Sequence, residues 1–150
     1  MSKIRFETKT ASEEEICSHL EACKDDFIPP LDQTVDIQEY SRKIFDRSVT
    51  FEAWEDRNLV GLLAAYFNDM RNRTGYVTNV SLMKDHTGLG IASTLVSMCI
   101  AYAKRCDFKE ITLEVNKENS LAIRLYGKFG FVECENRNEV MLLKLDLGKL

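Results

Sequence analysis

Two glycines separated by one residue stand where a strand-like stretch of the sequence gives way to a helical one. Residues 76–82 (YVTNVSL) indicate a strand, and Gly88 and Gly90 precede a long amphipathic segment that begins at Ile91. The first turn of a helix has N–H groups without intrahelical partners, and the helix dipole adds positive potential. We therefore predict an anion-binding site at this strand–turn–helix. The alternative is an ordinary loop that contains two glycines.

Composition narrows the class of protein. The 150 residues carry a formal charge of −4 without a basic block, so we expect no nucleic-acid partner. Five cysteines, an odd number with no C-x-x-C pair, favour a reducing, cytoplasmic compartment over a disulfide framework. The first residues lack the apolar core of a secretory signal, and no run of about 18 apolar residues follows, so we expect no membrane association.

Hydrophobic periodicity predicts seven strands and four helices in one domain spanning residues 1–150. The strands fall near 3–8, 49–54, 59–67, 75–82, 110–115, 131–134 and 140–146, and the helices near 12–24, 36–46, 91–106 and 120–129. The first helix has Ser12 as its predicted N-cap and Glu15 at the capping-box position. The order β-α-α-β-β-β-α-β-α-β-β predicts an α/β fold of the α+β type, with helices against one mixed sheet.

Two spaced motifs carry a family resemblance. The segment Thr87-Gly88-Leu89-Gly90-Ile91-Ala92 matches Q/R-x-x-G-x-G/A at Gly90 and Ala92, and residues 119–131 match N-x-x-A-x-x-L-Y-x-x-x-G-F completely. Together with the order of elements, they resemble the GNAT family of N-acetyltransferases. The resemblance implies a single-domain acyl-CoA N-acyltransferase-like fold. The sequence departs from the family at Thr87, where a Gln or Arg usually shapes the pyrophosphate loop, so we expect an effect on CoA affinity.

The resemblance also implies the cosubstrate, acetyl-CoA, with no metal. The main chain of Val80 and Leu82 would bind the pantetheine arm, and the Leu82 N–H would polarise the acetyl carbonyl. The implied pyrophosphate loop consists of Thr87, Gly88, Leu89, Gly90, Ile91 and Ala92. Asn119 would contact the pantetheine arm, cap the following helix, or do both.

Acetyl transfer needs a base and an acid. An amine is mostly protonated at neutral pH and must lose a proton before it attacks, while a departing thiolate benefits from a proton donor. The resemblance implies Tyr126 as the acid, with a packing tyrosine as the alternative. Glu114 occupies the position of the base in the ribosomal-protein alanine acetyltransferase branch, although an acidic residue there can also be structural. The other candidate bases are Asn79, Ser81 and Glu55.

These residues together predict an N-acetyltransferase that moves acetyl directly to a primary amine. The alternative function is a catalytically silent acyl-CoA-binding module that acts as a sensor. The sequence does not identify the acceptor, which is an amino sugar, a small amine, an amino acid or a peptide or protein N-terminus. The resemblance is also compatible with a homodimer.

Overall fold

Seven strands form one mixed sheet with helices on both faces. The structure, a computed structural model, describes residues 3–88 and 90–149. The strand order is β1-β2-β3-β4-β5-β7-β6, and every neighbouring pair is antiparallel except β4 and β5. The strands are β1 (Ile4–Thr8), β2 (Val49–Glu55), β3 (Asn58–Asp69), β4 (Thr74–Leu82), β5 (Glu110–Asn116), β6 (Val132–Arg137) and β7 (Val140–Asp146).

Four α-helices lie between the strands in the predicted order. They are α1 (Glu13–Cys23), α2 (Ile37–Arg47), α3 (Ile91–Arg105) and α4 (Ser120–Lys128). The predicted capping box of α1 is confirmed, because Ser12 Oγ accepts from the Glu15 N–H and Glu15 Oε1 accepts from the Ser12 N–H. Among residues 3–88 and 90–149, no helix has both the length and the apolar character needed to cross a membrane.

Two hydrophobic cores lie on opposite faces of the sheet. Side chains of α3 and α4 pack on one face, and side chains of α1 and α2 pack on the other. The middle of β3 contributes to both, since Leu63 belongs to the first core and Leu62 to the second. This burial on both faces is that of a strand inside the sheet, as its place between β2 and β4 shows.

The last hairpin differs in extent from the prediction. Strand β6 continues to Arg137, three residues beyond the predicted end at Cys134. All of its side chains are exposed, so the strand has no buried face that could mark its end in the sequence. Main-chain pairing with β7, which reaches Arg137 and Val140, defines the strand instead.

Strands β4 and β5 separate part-way along their length. Their parallel pairing runs from Thr74 with Glu110 to Val77 with Leu113 and then stops. At the same point Thr78 is an extra residue in β4, because Val77 pairs with Ala65 while Asn79 pairs with Ala64. Such a bulge bends a strand and increases its twist. The gap that follows, between residues 78–82 and residues 114–116, is called the β4–β5 opening below.

Candidate active site

The main chain of β4 presents donors to the β4–β5 opening. The Met83 N–H donates to Val60 O of β3 at 2.8 Å. In an antiparallel ladder alternate residues bond to a given neighbour, so the N–H groups of Leu82 and Val80 point away from β3. No β5 residue pairs with them among the described residues. The side chains of Val80 and Leu82 pack against the α3 core. Both residues therefore lie where the resemblance implies that they bind pantetheine, and that binding stays a prediction.

The loop before α3 requires glycine because of its backbone conformation. Gly88 has φ of 79° and Gly90 has φ of 75°, in the left-handed region that L side chains rarely adopt. A Cβ at either position would meet nothing within 4 Å, so lack of space is not the constraint.

The N-terminus of α3 also lacks the side-chain cap that the other helices have. Gly90 is its N-cap, whereas the side chains of Ser12, Asp36 and Asn119 cap α1, α2 and α4 within the described chain. The N–H groups of the first turn of α3 are thus available to an anion.

The other residues of the predicted loop contribute unequally. The Thr87 hydroxyl donates to Lys84 O at 3.2 Å, and the side chain is exposed. Ile91 is only 2% exposed and belongs to the core, so only its main chain can reach a ligand. Ala92 is half-buried in the first turn of α3. Leu89 lies outside the described residues.

Tyr126 lies in the core between α4 and α3. Its ring centroid is 5.6 Å from that of Phe131, and the phenol is close to the Cys99 thiol. Burial, with a smaller effect of Cys99, raises the pKa of Tyr126 above its ordinary value of about 10. The hydroxyl therefore keeps its proton at neutral pH, as a general acid must.

Asn119 caps α4. Its Oδ1 accepts from the Ala122 N–H at 3.2 Å, which agrees with the N-cap interpretation. The amide nitrogen of the same side chain is left for another partner. A contact with the pantetheine arm stays a prediction.

Glu114 lies at the edge of the opening, one residue beyond the last β4–β5 pair. Its side chain is 42% exposed, and Oε1 is 3.5 Å from Arg137 Nη1. Its neighbours Leu113 and Val115 are buried in the core, so Glu114 projects from the other face of the sheet, as the alternation predicts. Tyr126 and Glu114 thus lie on opposite faces of the sheet.

Three tyrosines that the sequence analysis did not single out as site residues cluster beside Glu114. Tyr66 and Tyr76 are cross-strand neighbours, and the Tyr40 hydroxyl of α2 donates to Thr78 O at 2.8 Å. Burial raises the pKa of Tyr40 to about 12, and it also raises the pKa of Tyr76, to which the Glu114 charge contributes. No sequence motif reveals this cluster, because it depends on strand register and on the docking of α2.

The other candidate bases are differently placed. Asn79 and Ser81 are only 4% and 7% exposed. Their side chains lie on the face of the sheet that α1 and α2 cover. Glu55 ends β2, two strands away from β4, and its Oε1 is 3.2 Å from His86 Nε2. Glu114 is therefore the carboxylate among these candidates that borders the opening.

Comparison with known proteins identifies the family. The model of the acetyltransferase (GNAT) family matches residues 13–131. The chain belongs to the GNAT acetyltransferase family. A GNAT relative in Arabidopsis thaliana, "N-alpha-acetyltransferase MAK3", is 31% identical over 101 residues, which are 67% of this chain and 53% of that protein. "N-alpha-acetyltransferase 30" of Saccharomyces cerevisiae is 31% identical over 61% of this chain and 53% of its own length. The chain therefore spans about half the length of these curated relatives.

Solved GNAT structures share the fold. The ribosomal-protein-S18-alanine N-acetyltransferase of Escherichia coli superposes with a TM-score of 0.75 at 15% identity, covering 98% of this chain and 94% of that one. The paia N-acetyltransferase of Thermoplasma acidophilum, solved in complex with coenzyme A, gives 0.73 at 16% identity over 95% and 99%. These matches confirm the predicted mixed-sheet acyltransferase fold.

Proposed function

We propose that this GNAT protein transfers acetyl from acetyl-CoA directly to a primary amine. The observation that supports the proposal is the β4–β5 opening, where the N–H groups of Val80 and Leu82 point away from β3 and have no β5 partner among the described residues. Tyr126 belongs to the core on the α3 side of the sheet, and Glu114 projects from the other face. A donor strand with an acid and a base on opposite faces suits a transfer between two ligands that meet in the opening.

Acetyl-CoA would supply a thioester carbonyl and a thiolate leaving group. The described residues fit its parts: the uncapped N-terminus of α3 suits the pyrophosphate, because its N–H groups need an acceptor. The unpaired edge of β4 suits the pantetheine amides, which can bond to it as an added strand would. The Leu82 N–H would donate to the carbonyl oxygen as negative charge develops there.

Proton transfers at the base and at the acid accompany the acetyl transfer. Glu114, or a water molecule that it holds, accepts the proton of the acceptor ammonium, and the freed amine forms the C–N bond to give a tetrahedral intermediate. The C–S bond breaks when that intermediate collapses. The Tyr126 hydroxyl gives its proton to the departing sulfur. Glu114 releases the first proton to solvent before it or its water accepts the second amine proton, and Tyr126 regains a proton from solvent. The products are an amide, a thiol and one released proton.

A peptide α-amine is the acceptor class that we propose first. Two relatives at 31% identity are named N-alpha-acetyltransferases. On the Glu114 side, the opening is bordered by the tyrosine cluster and by exposed residues of the β6–β7 hairpin, which are accessible to a peptide. A polyamine is the second class to test, since a spermidine N-acetyltransferase chimera shares the fold with a TM-score of 0.75.

We also propose that residues 1–150 form a single acetyltransferase domain in the cytoplasm. Fold matches cover up to 99% of the chain, which supports one domain. All five cysteines are free thiols, as suits a reducing compartment. A homodimer stays a prediction, which sedimentation measurements of the purified chain would test.

The enzyme and sensor hypotheses are separated by thiol release. Acetyl-CoA is incubated with the protein and with peptides, spermidine, amino sugars and free amino acids, and the released CoA is titrated with a thiol reagent. We expect turnover with at least one amine and a fall in kcat of roughly 10²-fold in Tyr126→Phe, since a general acid typically contributes that much. Acetyl-CoA affinity should change less than threefold.

Tyr102→Phe is the matched control. Tyr102 is half-buried in the same core, where its ring packs edge-on against Phe51 at 5.7 Å, but it lies on α3 and outside the proposed chemistry. Its variant should keep native turnover. Saturable acetyl-CoA binding without turnover of any amine would refute the enzyme and support the sensor.

A further inference from the structure

A buried histidine and its partners lie behind the donor residues of β4 and have no part in the proposed chemistry. His19 of α1 is 2% exposed. Its Nδ1 is 3.0 Å from Leu59 O of β3, and its Nε2 is 2.9 Å from Ser81 Oγ of β4. Ser81 Oγ lies 2.8 Å from the side-chain amide of Asn79. We call this the His19–Ser81–Asn79 chain.

The direction of each hydrogen bond follows from the charge of the histidine. Burial lowers the pKa of His19 to about 4, so the ring is neutral and carries one proton. A carbonyl can only accept, so Nδ1 holds the proton and donates to Leu59 O, while Nε2 accepts from the Ser81 hydroxyl. The structure has Asn79 Oδ1 facing Ser81 Oγ. Since the one Ser81 proton is committed to Nε2, the side-chain amide is better assigned in the flipped orientation, with its nitrogen donating to Ser81 Oγ.

The chain continues to the bulge in β4. Beside Asn79, the Tyr40 hydroxyl of α2 donates to Thr78 O at 2.8 Å. At the other end, the Cys23 thiol of α1 donates to Leu82 O at 3.4 Å. Residues 78–82 of β4 are therefore tied to α2 at Thr78 and to α1 at Ser81 and Leu82.

These ties act where β4 has lost a neighbour. From Thr78 onward the strand is paired with β3 only, because pairing with β5 stops at Val77. A strand paired on one side can move more freely than one held on both sides. The side-chain ties from α1 and α2 supply the missing restraint on the same residues whose N–H groups face the opening.

A proton pathway is a poorer explanation for these groups. A relay needs each member to accept one proton and donate another, and the amide of Asn79 does not exchange protons in that way at neutral pH. The ring of His19 is also bonded at Nδ1 to a carbonyl, which cannot pass a proton on. The chain is suited to hold atoms in place.

We propose that His19, Ser81 and Asn79 are positioning residues, which hold the free half of β4 so that Val80 and Leu82 bind the acyl-CoA thioester. This inference rests on the proposed function for the identity of the ligand. The proposal gives these three buried side chains a role that does not require contact with acetyl-CoA or with the acceptor amine.

The first test compares two buried serines. Ser81→Ala removes the donor to His19, and Ser41→Ala removes a buried hydroxyl bonded at 2.7 Å to Ile37 O within α2, outside the chain. We expect both variants to lower Tm, but only Ser81→Ala to weaken acetyl-CoA binding, by roughly tenfold as expected for one buried hydrogen bond. It should also speed hydrogen exchange of the Met83 amide, whose N–H holds the end of β4 on Val60 O of β3. Equal acetyl-CoA affinity and equal exchange in the two variants would overturn the proposal.

The second test asks which bond of His19 matters. Glutamine at this position can reach the Nε2 site and accept from Ser81, whereas asparagine can reach the Nδ1 site and donate to Leu59 O. His19→Gln should therefore keep acetyl-CoA affinity within about threefold of the native protein, and His19→Asn should lose as much affinity as Ser81→Ala. The opposite order, or equal affinity, contradicts the proposed role.

The two proposals fail in different ways. Binding of acetyl-CoA without turnover refutes the enzyme but leaves the affinity comparison intact. Absence of acetyl-CoA binding in the native protein refutes the proposed function, and the exchange rate of the Met83 amide in the four variants then decides the positioning role alone.

Discussion

Tyr126 and Glu114 differ in environment as an acid and a base should. Burial in the α3–α4 core keeps the Tyr126 phenol protonated, whereas Glu114 stays 42% exposed beside Arg137. The acid therefore lies on the side where the cosubstrate is expected, and the carboxylate lies on the side open to an acceptor. At the scale of single residues, the site depends on which face of the sheet each side chain occupies.

Glu114→Gln tests the base. We expect kcat at neutral pH to fall roughly 10²-fold, the typical contribution of a general base, with little change in acetyl-CoA affinity. The measurement is kcat and KM for the best amine as a function of pH, and the loss should shrink at high pH, where the free amine is abundant.

Glu135→Gln is the control for this prediction. Glu135 makes the shorter contact with Arg137, at 2.7 Å, so its variant perturbs the same arginine without removing the proposed base. Equal losses in the two variants would indicate that Arg137, rather than the Glu114 carboxylate, carries the effect.

At the scale of elements, the site is the meeting of a half-paired strand with an uncapped helix. β4 offers N–H donors because β5 leaves it after Val77, and α3 offers them because its N-cap is a glycine. Both are main-chain donors, and they do not depend on the residue at position 87. The departure from the family at Thr87 therefore leaves these donors intact.

Gly90→Ala tests the helix N-terminus. An alanine at φ of 75° is strained by about 1 kcal/mol or more, so the loop should shift and acetyl-CoA affinity should fall roughly tenfold by calorimetry. Gly127→Ala is the control, because Gly127 lies inside α4 with no atom within 4 Å of its added Cβ. That variant should gain about 0.5–1 kcal/mol of stability and keep native affinity. Native affinity in Gly90→Ala would place the anion site elsewhere.

At the scale of the whole molecule, a buried carboxylate joins the first segments of the chain. Glu52 of β2 is fully buried and accepts from Ala11 N, Thr50 Oγ1 and Trp54 Nε1, as well as from the main chain and hydroxyl of Thr10. These donors fix the connection between β1 and α1 to the sheet. The position of α1, and with it His19, depends on that connection.

Glu52→Gln should destabilise the protein by about 2–3 kcal/mol. One carboxylate oxygen becomes an NH₂ group that faces donors, which leaves buried groups unsatisfied. Thermal unfolding should show a fall in Tm of roughly 5–10 °C for a domain of this size. Glu7→Gln, at a partly exposed site paired with Arg5, should change Tm little, and equal shifts in the two variants would contradict this role of Glu52.

The sequence by itself determined the features that local interactions set. Helix and strand periods gave the order of elements, and the capping box at Ser12 and Glu15 was predictable because its partners lie three residues apart. The two motifs indicated the family. Their glycines adopt positive φ and Asn119 caps α4, and both features depend only on residues within one helical turn or loop. The roles of the individual site residues stay predictions.

Tertiary structure decided how distant segments meet. The bulge at Thr78 and the end of pairing at Val77 depend on strand register, which no short segment encodes alone. His19 bonds to residues 40 and 62 positions away, so on sequence alone it is an isolated polar residue of an amphipathic helix. Packing of these segments creates the β4–β5 opening, the tyrosine cluster and the hydrogen bonds from α1 and α2 to residues 78–82. Burial makes each of these hydrogen bonds and side-chain contacts favourable.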